Sequence, residues 1–419
     1  MNMMNQIHNF LENYQLDSPQ PDLFGSTFSH PTKIFFSPNS DKKISNFQNE
    51  FWTAKQRKSC SLHEISYRAC FKAELPSFFI NLLTKENDVV YDPFSGRGTT
   101  AIEAALQKRQ IISNDVNPLS QIFAEARLEI PNIQDVVRRL EGIKISKKFS
   151  AGIDLSMFFE KETLHEILSL KNYLQKKRDS KSEDGVDRWI RMVATNRLTG
   201  HSSGFFSVYT LPPNQAISAK KQAEINAKNN RRAEYRDTKS IIAKKSQSLL
   251  RSLSHEQKEN LHQAKKTAIF LNESAASTAK ILANSVNLIV TSPPFLDVVD
   301  YASDNWLRCW FNGIDQFELQ KKISSHSKIE QWNKFIFSCF SEFYRVVKPG
   351  GYVAFEVGEV KNGKIKLEDH VLPIGLNVGF NCIAVIVNSQ TFTKTSNIWG
   401  VINNKKGTNS NRIVLFQKS

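Results

Sequence analysis

Five consecutive residues combine rigid hydrogen-bond acceptors with an aromatic ring. They are Thr291-Ser292-Pro293-Pro294-Phe295, and they follow an apolar run at residues 286–290. Such a run is typical of a buried strand. Because two prolines cannot continue a sheet ladder, the chain must turn outwards at the strand's end. The prolines hold the neighbouring carbonyls rigidly, and the phenylalanine adds a flat apolar face, so this loop is suited to holding a planar ring that carries an amine.

A glycine-containing turn lies nearer the N-terminus. Residues 92–100 read D-P-F-S-G-R-G-T-T and join a short β-branched run at 89–91 to a helix-forming segment at 101–108. The glycines let the backbone turn sharply and approach a ligand, and the amides of the following helix point to the same place. The pattern fits neither G-x-x-x-x-G-K-[ST] nor G-x-G-x-x-G, which disfavours a P-loop and a dinucleotide site. A tight turn without a ligand is the alternative.

An acidic residue ends the next strand. Residues 111–115 read I-I-S-N-D, and Asp115 is followed by Asn117-Pro118, which opens a helix. An acid about 20 residues after a glycine turn can accept both hydroxyls of a ribose, as in other nucleoside-binding α/β folds. A helix N-cap is the alternative role for this side chain.

Together these segments resemble the motifs of S-adenosylmethionine-dependent DNA amino-methyltransferases. Residues 92–100 match D-P-F-x-G-x-G-T-T, residues 114–118 resemble G-x-D-x-N-P with Asn114 near the usual small residue, and residues 291–295 match the catalytic motif. The resemblance implies S-adenosylmethionine as cofactor. It also places Glu273 where the family usually has an aspartate that contacts adenine. The implied cofactor-binding residues are Asp92, Phe94, Gly96, Gly98, Thr99, Thr100, Asp115 and Glu273.

The same resemblance implies that the catalytic residues are Ser292, Pro293, Pro294 and Phe295. The Ser292 hydroxyl and the Pro293 carbonyl would hold the amine hydrogens, and Phe295 would stack on the base. Rate enhancement would come from orientation and electrostatic placement, and the base would have to leave the duplex stack. In the family, S-P-P-[YF] accompanies cytosine N4, whereas D-P-P-Y or N-P-P-[YF] accompanies adenine N6 or guanine N2. Ser292 therefore favours cytosine N4, with adenine N6 as the alternative.

Composition favours a nucleic-acid partner. The 419 residues carry a net charge of +15 with a pI near 9.4, which is typical of proteins that bind polyanions, although solubility alone is the alternative. Five scattered cysteines without C-x-x-C spacing favour a reducing cytoplasm over a zinc or disulfide framework. No apolar run approaches the roughly 20 residues of a membrane span, and the N-terminus shows no secretory signal. We expect double-stranded DNA as partner, and neither a membrane nor a metal.

The order of strands and helices predicts an α/β fold with a mainly parallel sheet and a largely helical insert. The resemblance implies that this is a Rossmann-like methyltransferase fold. We expect a polar arm with little regular structure at 1–45 and a cofactor-binding half at 46–131. A basic helical insert at 132–266 is the candidate target-recognition region, and the catalytic half follows at 267–419. Within the insert, residues 188–191 and 196–209 carry Arg, Asn and Ser beside aromatics, which suits base edges, and its basic helices could follow phosphates.

The leading interpretation is a site-specific DNA methyltransferase of a restriction–modification system, with a cognate restriction endonuclease as a further partner. An RNA base methyltransferase is a second enzymatic interpretation. A nucleic-acid-binding protein that kept the fold without catalysis is the third, although intact glycines, Asp115 and Ser292 argue against it.

Overall fold

Short apolar runs of the sequence form the strands of one large sheet. The computed structural model describes residues 3–16, 31–36, 44–52, 60–67, 70–210, 216–294, 301–323, 328–360, 365–389 and 410–419. Its strands are β1 (Lys33–Phe36), β2 (Ser45–Asn49), β3 (Val89–Asp92), β4 (Gln110–Asn114), β5 (Ile269–Leu271), β6 (Val286–Thr291), β7 (Val347–Val357), β8 (Glu359–Val360), β9 (Ile365–Lys366), β10 (Asn381–Ser389) and β11 (Ser410–Gln417).

Helices connect these strands and form the insert. They are α1 (Met3–Glu12), α2 (Glu74–Leu83), α3 (Thr99–Leu106), α4 (Leu119–Ala126), α5 (Ile133–Gly142), α6 (Lys161–Asp179), α7 (Gly185–Arg197), α8 (Ala219–Lys228), α9 (Thr238–Leu250), α10 (His255–Thr267), α11 (Tyr301–Asp304), α12 (Trp306–Asn312), α13 (Gln316–Lys322), α14 (Ile329–Val346) and α15 (Glu368–Val378), with a short 3-10 helix at Ser61–His63. None of them, within the described ranges, is long and apolar enough to cross a membrane.

The sheet has the strand order β1-β2-β10-β11-β7-β6-β3-β4-β5. Five neighbouring strands, from β7 to β5, run parallel, and β11 lies antiparallel between β7 and β10. The predicted α/β fold with a mainly parallel sheet is therefore confirmed. β3 is followed by β4 and β5 on one side, and the chain then crosses to β6 on the other side. This reversal creates a crevice at the carboxyl ends of β3 and β6, which is where open α/β sheets bind ligands.

The insert is largely helical, as predicted, and α7 lies at its centre. Asp184 and Asp187 form a capping box at the start of this helix, and Trp189 is fully buried. Arg188 and Arg191 face acids of the protein, Glu129 and Glu183 respectively. The expectation that residues 188–191 meet base edges is therefore wrong, because these side chains stabilise the packing of the insert.

One local expectation differs from the structure. The N-terminal arm contains α1 and β1, and Ile7 and Leu11 give α1 an apolar stripe that is buried against the rest of the chain.

The start of β7 is irregular. Opposite it on β6 the register shifts between Val286 and Leu288, and Gly350 has a positive φ of 78° there.

Candidate active site

One buried asparagine holds three strand ends together. The Asn114 side chain at the end of β4 donates to the carbonyl of Pro93 (3.2 Å) and to that of Glu273 (2.9 Å). Its oxygen accepts from the amide of Glu273 (3.0 Å), and the residue is fully buried. The departure from the family's small residue at this position therefore has a physical reason: a longer side chain here links the ends of β3, β4 and β5.

Asp115 closes the glycine turn onto the end of β4. Its carboxylate accepts from the amides of Gly96 (2.8 Å) and Asn117 (2.9 Å). Burial raises the pKa of Asp115 to about 6, and the two backbone amides oppose that rise. The carboxylate is thus ionised near neutral pH and lies at the mouth of the turn.

Both glycines of the turn have a backbone conformation that other residues rarely adopt. The φ angle is 52° at Gly96 and 77° at Gly98. At Gly98, in addition, a Cβ atom would lie 2.6 Å from the Cβ of Ala124 on α4. Both glycines therefore shape the turn, and Gly98 also allows α3 and α4 to pack closely.

A cleft of about 830 Å³ opens at the carboxyl ends of β3, β4 and β6. It brings together seven of the residues predicted from the sequence, namely Phe94, Gly96, Thr99, Asp115, Glu273, Ser292 and Pro294. The glycine turn and the loop after β6, which are far apart in the sequence, thus face one cavity.

The other predicted residues do not line this cleft. Asp92 is buried behind it and accepts from the Thr291 hydroxyl (2.6 Å), and Thr100 donates to the carbonyl of Val290 (3.2 Å). These two contacts fasten β3 and α3 to β6. Gly98 packs against α4, Pro293 is not among the lining residues, and Phe295 lies outside the described residues.

The cleft favours a cationic or neutral ligand over an anion. Among its described lining residues there is no lysine or arginine, whereas Asp115 and Glu273 supply carboxylates. The rings of Phe94 and Phe335, both in the lining, have centroids 6.1 Å apart. A phosphate would find no cationic side chain here, but an aromatic base on a positively charged carrier would find suitable partners.

Arg97 was missed by the sequence reasoning. It fills the variable position between the two glycines, and its guanidinium donates to the carbonyls of Ile65 (2.8 Å), His63 (3.2 Å) and Phe71 (3.2 Å). These carbonyls belong to the segment that also places Tyr67, Cys70 and Phe71 in the cleft lining. The sequence feature that could have indicated this role is the basic residue between the two glycines of the motif.

Glu356 was missed as well, although it contacts the catalytic loop. It lies on β7, where Phe355 pairs with Thr291, and its carboxylate accepts hydrogen bonds from Ser292 and Asn411. Burial raises the pKa of Glu356 to about 7, and these two bonds oppose the rise. The sequence feature that could have indicated this role is the single acidic residue within the apolar stretch 352–357.

The loop after β6 is also fastened at its second proline. The Trp332 indole on α14 donates to the carbonyl of Pro294 (3.1 Å), and the Trp332 side chain is almost completely buried. Ser292 and Pro294 therefore each have a fixed partner, one on β7 and one on α14.

Known families match this arrangement. The family model of N6/N4 DNA methylases, described as DNA methylase, matches residues 12–124 and 286–419, which is more than half of the chain. The chain belongs to this family. The resemblance stated from the sequence motifs is therefore confirmed for this DNA methylase. A second model, of D12 class N6 adenine-specific DNA methyltransferases, matches residues 71–271.

Individual relatives are more distant. The Type II methyltransferase M.BsoBI of Geobacillus stearothermophilus is 24% identical over 72% of this chain and 64% of its own length. M.PvuII of Proteus hauseri is 35% identical over 22% of this chain and 27% of its own length. The matches thus span less than two thirds of either relative. A solved S-adenosylmethionine-dependent methyltransferase from Methanosarcina mazei is 11% identical, covering 81% of this chain and 96% of its own, with a TM-score of 0.33.

Replacing Asn114 by alanine should lower the free energy of unfolding by about 1–3 kcal/mol, because three buried backbone groups lose their partner. Urea denaturation followed by circular dichroism measures this loss. Asn260 is the matched control, since its side chain makes one hydrogen bond, to the carbonyl of Leu106. Asn114→Ala losing no more stability than Asn260→Ala would contradict the role assigned to Asn114.

Proposed function

We propose that this DNA methylase transfers a methyl group from S-adenosylmethionine to an exocyclic amine of a base flipped out of duplex DNA. The observation that carries the proposal is the shared cleft. The turn from Phe94 to Thr99, the acid Asp115 and the loop residues Ser292 and Pro294 line the same cavity. A donor site and an amine-holding loop must adjoin for direct transfer, since reacting atoms need to lie about 3–3.5 Å apart.

The residues present fit S-adenosylmethionine. Asp115 would accept the ribose hydroxyls, and Glu273, Phe94 and Phe335 would surround the adenine. The absence of lysine and arginine from the described lining suits a ligand whose reactive centre is a cation. When bound, S-adenosylmethionine supplies a methyl group on a sulfonium, which becomes a neutral thioether as that group leaves.

Ser292 would act as a hydrogen-bond acceptor. A hydroxyl has one hydrogen and two lone pairs. Because an ionised carboxylate can only accept, the Ser292 hydroxyl would donate its hydrogen to Glu356 and keep its lone pairs for the amine of the base. The Pro293 carbonyl is proposed as the second acceptor, and Phe295 as the stacking ring, on the evidence of the motif alone. Two such acceptors would localise the amine's lone pair, which is otherwise conjugated with the ring, and aim it at the donor.

Glu356 would take up the proton that the reaction releases. Once the new N–C bond has formed, the nitrogen carries a positive charge and gives one proton to the Ser292 oxygen. The original Ser292 proton then passes to the carboxylate of Glu356, so that serine is restored and the glutamic acid becomes neutral. Glu356 acts on the base through Ser292 and is thus a positioning and proton-accepting residue.

The sequence of the loop supports cytosine N4 as the target, because Ser292 precedes the two prolines. Adenine N6 is the second candidate, and the match to D12 class N6 adenine-specific methyltransferases over residues 71–271 favours it. The names of the Type II relatives support a restriction–modification role, for which we propose a cognate endonuclease as partner. RNA as substrate has no comparable support.

Purified protein incubated with duplex DNA and cofactor labelled in its methyl group should place label in N4-methyldeoxycytidine after digestion to nucleosides. Chromatography of the digest identifies the product. Label in N6-methyldeoxyadenosine would support the second candidate instead. Label in RNA but not in DNA, or in neither polymer, would refute the proposed function.

Glu356→Gln should lower kcat at neutral pH by about 10²–10⁴-fold, the usual contribution of a proton-transfer group. In the unaltered enzyme, kcat should rise with pH through about 7, because Glu356 accepts a proton only when ionised and burial raises its pKa to about 7. The glutamine variant should lose this inflection while its affinities for DNA and cofactor stay unchanged. A variant with the same pH profile as the parent would exclude Glu356 from proton transfer.

Cofactor affinity should fall at acidic pH. Burial raises the pKa of Asp115 to about 6, so its carboxylate is ionised above that value and is lost as an acceptor below it. We expect binding at pH 5 to be about tenfold weaker than at pH 7.5, as one pH unit below a pKa leaves about a tenth of the group ionised. Calorimetric titration measures this change, and Asp115→Asn should bind weakly at both pH values. If Asp115→Asn showed the same pH dependence of cofactor affinity as the unaltered protein, a group other than Asp115 would be responsible for it.

A further inference from the structure

An exposed turn in the insert lies close to the cleft. Residues 201–204, which we call the reading turn, are exposed, whereas Phe205 and Phe206 next to them are buried. The turn begins after α7, where Asn196 donates to the carbonyl of Ser66 (2.9 Å). Ser66 adjoins Tyr67, a residue of the cleft lining. The reading turn is therefore tied to the wall of the proposed active site.

The base of the reading turn is rigid. A Cβ at Gly200 would lie 2.3 Å from the ring of Phe205, so the turn depends on glycine there. The guanidinium of Arg197 lies 4.0 Å from the centre of the Phe205 ring. The amide of Phe206 donates to the carbonyl of Arg197 (2.9 Å). An exposed polar tip on a fixed base is the usual construction of a recognition loop.

Exposed cations stand beside this turn. We call them the basic rim, and they are Lys220, Lys221, Lys228 and Arg232. Within the described residues none of them has a carboxylate partner in an ion pair. Several cations later in the insert are engaged by the protein instead, as Lys245 is by Glu64 and Lys265 by Glu125.

The basic rim is connected both to the reading turn and to the catalytic half. The guanidinium of Arg231 lies 4.5 Å from the ring centre of Tyr209, and Gln222 of α8 donates to the carbonyl of Tyr209 (3.3 Å). Just before α8, the carbonyl of Ile217 accepts from the Trp306 indole (3.1 Å). Trp306 begins α12, shortly after the catalytic loop. The helix that carries most of the rim thus contacts the segment after the reading turn, and the residues just before that helix contact α12.

The charge of this region points to a polyanion. The sequence has no acidic residue between Asp187 and Glu224, and between residues 219 and 232 Glu224 is the one acid beside five basic residues. We propose that the reading turn enters a groove of duplex DNA while the basic rim contacts its phosphates. His201, Ser202 and Ser203 offer short donors and acceptors suited to base edges, and unpaired lysine and arginine side chains suit phosphates. This inference rests on the proposed function in taking DNA as substrate, and it narrows the recognition surface to these residues.

The test measures binding separately from methylation. The affinity for a duplex oligonucleotide is followed by fluorescence anisotropy from 50 to 200 mM salt, for the full chain and for a rim variant, Lys220→Ala/Lys221→Ala/Arg232→Ala. We expect the variant to bind at least tenfold more weakly, and its slope of log affinity against log salt to be smaller by about 2–3, since each phosphate contact contributes about 0.9. Circular dichroism confirms that the variant is folded.

A matched control removes the same charge elsewhere in the insert. Lys244→Ala/Lys258→Ala/Lys266→Ala changes three exposed lysines of α9 and α10, and it should leave both the affinity and the salt slope unchanged. An equal loss in the control, or an unchanged slope in the rim variant, would overturn the assignment of the basic rim.

The reading turn is tested by sequence selection. Wild type and His201→Ala/Ser202→Ala/Ser203→Ala are each used to select bound duplexes from a randomised library, and cofactor affinity is measured by calorimetry. We expect the variant to keep its salt slope and cofactor affinity but to enrich its sites about 10–100-fold less, because each base contact contributes about 1–3 kcal/mol. Identical enrichment would overturn the role of the turn. Because no methylation is needed for these readings, they remain interpretable if the proposed reaction itself is refuted.

Discussion

The hydrogen bond between Thr291 and Asp92 joins the two halves on which the site depends. The hydroxyl of Thr291 lies 2.6 Å from the Asp92 carboxylate, although the two residues are 199 positions apart in the sequence. Both are buried, and burial raises the pKa of Asp92 to about 7 while the threonine opposes that rise. Because Asp92 ends β3 and Thr291 ends β6, this contact sets the cofactor turn and the catalytic loop side by side. Asp92 therefore contributes to the site by holding β3 and β6 in position.

The insert reinforces the same junction from outside the sheet. Asn196 and Arg308 both donate to the carbonyl of Ser66, so that the insert, the helix after the catalytic loop and the segment over the cleft share one acceptor. Arg97 holds the same segment from the glycine turn. The cleft wall is therefore fixed by three parts of the chain, and a movement of the insert on a bound partner would be transmitted to it directly.

The sequence could predict the parts of this arrangement that depend on local patterns. Apolar runs predicted β3, β4 and β6, and the glycines together with Asp115 located the turn, because a strand, a sharp turn and a helix dipole depend on few neighbouring residues. Glu356 could not be predicted in the same way. Its proximity to Ser292 follows from the pairing of Phe355 with Thr291, and register between distant strands is set by the packing of the whole sheet.

The N-terminal helix and the buried role of residues 188–191 were missed for a related reason. A polar stretch with two well-spaced apolar residues forms a helix when a surface is present to bury them, and that surface is formed here by distant parts of the chain. Arginines beside an aromatic suit nucleic acid as well as they suit an internal ion pair, and only the positions of Glu129 and Glu183 decide between the two.

The distribution of charge finally separates the two ligands of the proposed reaction. The chain as a whole is strongly basic, yet the described lining of the cleft contains Asp115 and Glu273 and no lysine or arginine, and Glu356 lies against Ser292. A phosphate backbone is attracted to the basic surface and repelled from the acidic cleft, because like charges repel most strongly where solvent screening is weak. A neutral base and a cationic donor meet no such opposition. The same electrostatic pattern would thus keep a phosphate backbone outside the cleft while an uncharged base enters.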